Sequence, residues 1–269
     1  MTEKIDRELA EILRAVTRAT PFTNAAAIHR VMNLPLPGRV GDCAFLCNEL
    51  IAAAAHIPGE AHLHRAVSEN GLGGRKGEPG SHVLVLKKTK NGSRILDPTL
   101  LHERPFSLEV DTEEGPYIEL INTHLPSRIG GTAYAKFELW RDRLEVSTPF
   151  VAQGSGSSGI YTFNTSAADR VHANGLENAT KAFVDYFIRF VFEEGTAQLI
   201  YRERSNKMLW VQEGLAQEST GFSLDGASSQ TVRKDLDQRL GEFGFDLSLA
   251  VNLLRRAPEL QRQYRAECD

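Results

Sequence analysis

Three residues in this chain have the types and the order needed for nucleophilic catalysis: Cys43, His82 and Asp97. Cys43 follows Gly41-Asp42 and opens the run Ala44-Phe45-Leu46-Cys47. His82 stands near the start of Ser81-His82-Val83-Leu84-Val85-Leu86, and Asp97 closes Ile95-Leu96 ahead of Pro98-Thr99. A cysteine attacks as the thiolate. The start of a helix favours that negative charge, because its first N–H groups are unpaired and the helix dipole is positive there. A histidine in reach would take the thiol proton and form a thiolate–imidazolium pair. A carboxylate on its other ring nitrogen would fix the tautomer and stabilise the cation. The same free N–H groups would hold a developing oxyanion. The pattern therefore predicts the Cys43 sulfur within about 4 Å of one His82 nitrogen, with the other nitrogen hydrogen-bonded to Asp97.

A lone cysteine in an alanine-rich helix is usually a small core residue, and that reading is kept for Cys47, one turn further along. A Cys43–Cys47 disulfide within one helix would be strained. His62 and His64 share a strand face, but no CxxC or HExxH accompanies them, so no metal site is expected. The stretch Asn70 to Gly80 contains five glycines yet sits between strands, without the helix that a phosphate-binding loop requires. It reads as a mobile loop. Trp140 and Trp210 read as core.

The elements that must position the three residues follow from periodicity. Ile5, Leu9, Ile12, Leu13 and Val16 mark a first amphipathic helix, and Asn24 to Met32 a second. Pro35, Pro37 and Gly38 force a turn before Gly41. From Cys43 to His56 the residues are apolar nearly all round, which predicts a buried helix ended by Pro58-Gly59. The period then switches to two over Glu60 to Val67. Ser81 to Lys87 and Ser93 to Leu96 form a hairpin turned by Asn91-Gly92, which lets Asp97 approach His82. Further strands are expected at Tyr117 to Asn122, Ala133 to Trp140, Leu144 to Phe150 and Gly159 to Thr165. A flexible turn spans Gly154 to Gly159. Leu176 to Glu194 reads as a helix. Gln198 to Tyr201 and Met208 to Val211 read as a hairpin, and two terminal helices are separated by Gly244. The order predicts an α+β fold rather than a doubly wound parallel sheet.

Composition excludes some classes. The 269 residues are 41% hydrophobic and 25% charged, with net charge -4. That is ordinary for a globular protein and gives no basic surface for nucleic acid or an anionic membrane. No apolar run is long enough to span a bilayer. Met1 to Arg7 is charged and leads into a helix, unlike a secretory signal. Three cysteines do not make a disulfide framework, and a reducing cytoplasm is the expected setting.

The Cys-His-Asp order on a helix–strand–strand unit, with Gly41-Asp42-Cys43 and Leu96-Asp97-Pro98-Thr99, resembles the transglutaminase-like superfamily. Within it, the gaps of 39 residues from Cys43 to His82 and 15 from His82 to Asp97 are similar to those of the arylamine N-acetyltransferases. So are Thr20-Pro21-Phe22-Thr23-Asn24 and the stretch Thr196 to Leu247 closing on Phe243-Gly244-Phe245-Asp246-Leu247. The chain departs from the family's Arg-Gly-Gly-x-Cys at Arg39-Val40-Gly41-Asp42-Cys43. It also departs from the Val-Gly-Phe-Gly that follows the family's Asp, having Pro98-Thr99-Leu100-Leu101 there.

The resemblance implies a cysteine-proteinase-like core in three parts. Residues 1–68 would be a helical domain carrying the nucleophile. Residues 69–170 would be a central antiparallel, barrel-like β domain carrying His82 and Asp97. Residues 171–269 would be a carboxy-terminal α/β lid. It implies no bound cofactor, with acetyl-CoA or another acyl thioester, free or carrier-bound, as co-substrate. The acyl group would pass through Cys43 to a small-molecule amine, in a narrow cleft with Leu100 on the acceptor wall. The alternative is a transglutaminase-like thiol hydrolase or amide synthase acting on a peptide, a glutamine or a carrier-bound acyl group. A non-enzymatic binding module is a third reading, against which the intact triad argues.

Overall fold

The computed structural model describes residues 2–68, 79–99, 104–110, 112–126, 132–141, 143–149, 158–164, 188–192, 197–203, 207–212, 220–222 and 230–268. Helix α1 (Thr2–Ala19) is followed by the short strand β1 (Phe22–Thr23) and helix α2 (Ala25–Val31). Helix α3 (Cys43–Ala53) continues into a 3-10 turn over Ala54–His56. Strands β2 (Glu60–Ser68), β3 (Pro79–Thr89), β4 (Gly92–Leu96), β5 (Phe106–Ser107), β6 (Tyr117–Pro126), β7 (Thr132–Leu139), β8 (Arg143–Pro149) and β9 (Ser158–Asn164) come next. The last part holds β10 (Ile188–Phe192), β11 (Ala197–Arg202), β12 (Lys207–Gln212) and β13 (Thr220–Phe222), then helices α4 (Gln230–Gly241) and α5 (Leu247–Cys268).

Strands β2 to β9 form an antiparallel sheet in the order β5-β4-β3-β2-β9-β8-β7-β6. Helices α1 and α3 pack against it, burying Leu9, Leu13, Cys47 and Leu50 with Leu84, Leu96, Phe137 and Val146 in one core. The barrel-like expectation needs correction, because the ladder is open. Its end strands β5 and β6 meet through side chains, not backbone bonds: Phe106 lies 6.1 Å from Tyr117 and stacks on Phe137 at 5.1 Å, and Arg104 pairs with Glu119. The reason is length, since β5 has only two residues to offer a partner.

The second sheet runs β1-β10-β11-β12-β13. It packs with α2, α4 and α5 around Ile28, Phe190, Phe192, Leu199, Leu240 and Leu254. Helix α4 ends at Gly241, and the turn that follows stops at Gly244, the expected separator, whose φ of +79° lets the Phe245 N–H turn back to the Leu240 carbonyl at 3.0 Å.

Most expected elements are present, with three corrections. The helix expected over Leu176 to Glu194 is wrong at 188–192, where Ile-Arg-Phe-Val-Phe is the buried strand β10; positions 176–187 lie outside the described residues. Its β-branched and aromatic side chains suit a sheet buried on both faces. Helix α3 is not apolar all round in its packing: Ala44, Leu46, Cys47 and Leu50 are buried, while Phe45 is 40% exposed. The β3–β4 hairpin turns one residue early, with Thr89 paired to Gly92 and Lys90-Asn91 at the tip. Of the expected glycine-rich loop, Asn70 to Gly80, positions 70–78 lie outside the described residues while Pro79-Gly80 already belong to β3; of the expected turn, Gly154 to Gly159, positions 154–157 lie outside them while Ser158-Gly159 begin β9. Among the described residues no helix is long and apolar enough to cross a membrane.

Candidate functional site

The approach to Cys43 is fixed by backbone bonds. The Gly41 N–H donates to the Pro21 carbonyl at 3.1 Å, and the Thr23 N–H donates to the Gly41 carbonyl at 2.8 Å. Gly41 thus lies beside β1, which pairs through Phe22–Val191 and Thr23–Phe190 with β10 of the second sheet. A Cβ at Gly41 would collide with the Phe45 ring, so glycine is the residue that fits.

Asp42 then starts the helix. Its Oδ1 accepts the Phe45 N–H at 2.8 Å, an N-cap bond, and its backbone carbonyl accepts the Leu46 N–H at 3.0 Å. Its Oδ2 accepts from Arg30 Nε at 3.1 Å and Nη2 at 2.6 Å, with the carboxylate side chain 4% exposed. Arg30 belongs to α2, which packs in the second core, while α3 packs in the first. The ion pair therefore ties the two cores together one residue before the sulfur. Cys43 opens α3, at the positive end of its dipole, which favours an anion there.

The far end of the same run is held by Lys87. This lysine of β3 is 1% exposed, and its ammonium donates to the carbonyls of Ala54 at 3.3 Å, Ile57 at 2.7 Å and Gly59 at 3.2 Å. A cation there complements the negative end of the helix dipole. Burial lowers the Lys87 pKa below its ordinary value of 10.5.

Cys47 links the helix to the sheet. It is fully buried and its thiol donates to the Val83 carbonyl at 3.6 Å. Burial pushes its pKa well above 9.0, and the neighbouring Cys43, Asp97 and Asp42 push it further in that order. One sealed sulfur thus feels both Cys43 and Asp97, so the structure brings these two to the same region. Asp97 is 0% exposed, and its Oδ1 accepts from the Thr99 N–H at 2.9 Å and the Thr99 hydroxyl at 2.7 Å. It follows Leu96, which pairs with Val85. Cys43 is half-buried. The His82 backbone lies in β3, next to the Val83 whose carbonyl meets Cys47, but its side chain lies outside the described residues, as does Leu100 altogether.

Elsewhere, His62 Nε2 pairs with Glu60 at 3.0 Å. Among the described residues no cluster of three or more His, Cys, Asp or Glu is placed to hold a metal ion. Sequence reasoning missed Arg30, the cap made by Asp42, and Lys87. An aspartate directly before a helix is a readable capping signal. Lys87 looked like the polar end of a strand, and nothing marked Arg30.

No family model matches the sequence, and no curated protein matches it. Solved structures do. An arylamine N-acetyltransferase of M. smegmatis matches over 93% of this chain and 90% of its own, with TM-score 0.53 and 15% identity. The arylamine N-acetyltransferase of Mycobacterium marinum, solved in complex with CoA, matches over 96% and 93%, with TM-score 0.55 and 14% identity. One from Bacillus cereus, described as having a unique Cys-His-Glu catalytic triad, matches over 89% and 91%, with TM-score 0.50 and 13% identity. The chain has the fold of these arylamine N-acetyltransferases, at an identity that speaks for fold.

Proposed function

We propose that this protein is an N-acyltransferase that moves an acyl group from a thioester donor, acetyl-CoA or a relative, through Cys43 to a small-molecule amine. The observation that carries the reading is the placement of Cys43, half-buried at the start of α3, in the same region as a fully buried Asp97, in a fold shared with arylamine N-acetyltransferases. In the first half-reaction the Cys43 thiolate attacks the donor carbonyl carbon, and the first N–H groups of α3 hold the oxyanion. The donor's C–S bond breaks, and the leaving thiolate takes a proton from the His82 imidazolium. In the second half the amine attacks the Cys43 acyl thioester, His82 removes the amine proton, and the amide leaves with the thiolate restored. Asp97 orients His82 throughout. Leu100 borders the acceptor, and the carboxy-terminal lobe from 171 onward excludes water so that the acyl-enzyme survives until the amine arrives.

The decisive experiment is intact mass after incubation with acetyl-CoA and other acyl thioesters, with and without a panel of amines. The expected result is one acyl group on Cys43, absent from Cys43→Ala, and amide formation that depends on the amine. Thioester hydrolysis indifferent to every amine would assign the site to a thiol hydrolase instead, and no acylation by any thioester would leave only a binding module.

A further inference from the structure

The open seam between β5 and β6 is not filled. Helix α1 crosses beside it, and a cavity of about 330 Å³ remains, within the range of small-molecule sites. Its polar lining includes Asp6 and Arg7 of α1, Arg94 of β4, Arg104 just before β5, and Tyr117 and Glu119 of β6, and Val110 adds to its apolar wall. Cys43 and Asp97 do not line it.

The charges do not balance. Three guanidinium groups face two carboxylates. Arg94 holds Asp6 through Nε at 2.7 Å and Nη2 at 3.5 Å, and its Nη1 donates to the Ser93 carbonyl at 3.0 Å. A guanidinium has five N–H donors, so two of those on Arg94 remain, on a residue that is 5% exposed. Arg104 pairs with Glu119, which also accepts from the Tyr117 hydroxyl at 3.5 Å. Among the described residues the Arg7 side chain makes no hydrogen bond or ion pair. A buried, pre-oriented arginine and an uncommitted arginine across one cavity are what a carboxylate or phosphate oxyanion needs.

We propose that this seam cavity is a second binding site, for a small organic anion with one carboxylate or phosphate head on a compact apolar body. The head sits between Arg7 and Arg94, and the body lies against Val110 and the Tyr117 ring. The site stands independently of the acyl-transfer reading, since it shares no residue with Cys43, His82 or Asp97. Ligand there would bridge α1 to β4 and to the edge strand β6, closing by side chains a seam that the backbone leaves open.

The test uses the full chain at constant ionic strength, titrated calorimetrically with benzoate as the carboxylate probe and phenyl phosphate as the phosphate probe. The expected result is saturable one-to-one binding of at least one probe; the tighter of the two identifies the head group. Arg7→Gln, at an exposed position, should weaken it about tenfold or more, equivalent to about 1.4 kcal/mol, without changing the melting temperature, whereas Arg104→Gln, whose guanidinium is held by Glu119, should weaken it less. Cys43→Ala should leave it unchanged. The proposal is overturned by no saturation of either probe up to about 10 mM, by affinity indifferent to Arg7→Gln, or by binding that Cys43→Ala abolishes.

Discussion

Replacing Asp42 by alanine tests how the start of α3 is held. The substitution removes the cap on Phe45 and both bonds from Arg30. Loss of an aspartate cap costs about 1 kcal/mol. Bonds from a charged donor to a buried carboxylate are worth about 1.5–3 kcal/mol. The Arg30 side chain is 35% exposed, so water recovers part of that, and about 1–2 kcal/mol remains. The expected loss for Asp42→Ala is therefore about 2–3 kcal/mol. Asp42→Asn keeps an oxygen for the Phe45 N–H and gives up the charge, so it should lose about 1 kcal/mol. Urea unfolding monitored by circular dichroism measures both. Combining Asp42→Ala with Arg30→Met in a cycle should show a coupling of about 1 kcal/mol or more. A loss below about 0.5 kcal/mol for Asp42→Ala, or additive effects in the cycle, would refute the idea that this pair ties the two cores at the nucleophile.

Lys87 gives a pH prediction with a definite sign. Its folded pKa lies below 10.5, so between that lowered value and 10.5 the unfolded chain binds more protons and native stability from this group rises with pH. Lys87→Met should remove that rise from the stability curve and, by stripping three carbonyls of their donor, cost about 2–4 kcal/mol near neutrality; a wild-type-minus-variant difference that is flat through this window contradicts the assignment. In alkylation followed by peptide mass, Cys43 should react at least about tenfold faster than Cys47 near neutral pH, because Cys47 is sealed with a raised pKa. His82→Ala should slow the Cys43 reaction sharply, and equal rates before and after would remove His82 as the base.

What near neighbours determine was legible in the sequence. The apolar spacing of α1, the glycine and helix formers around Cys43, the period of two in β2 and the hairpin signal near Asn91, though not its exact turn, all act within a few residues. They place Cys43 at a helix start and Asp97 just past a strand without reference to the rest of the chain. The run from 188 to 192 was not decided that way, because Ile-Arg-Phe-Val-Phe suits either period. It becomes β10 by pairing Phe190 with both Thr23 and Leu199, and Thr23 is far away in sequence. Strands of two residues, β1 and β5, have no period to read and exist only through their partners. The same holds at the site. Arg30 reaches Asp42 because two separately packed helices converge, and Lys87 finds three carbonyls because β3 passes under the end of α3. Whether the sheet closed depended on how long its last strand could be, and the two residues of β5 left the seam and its unbalanced arginines open. Local periodicity sets what each segment can become; burial of one segment against another, over separations no local pattern encodes, decides which charges meet.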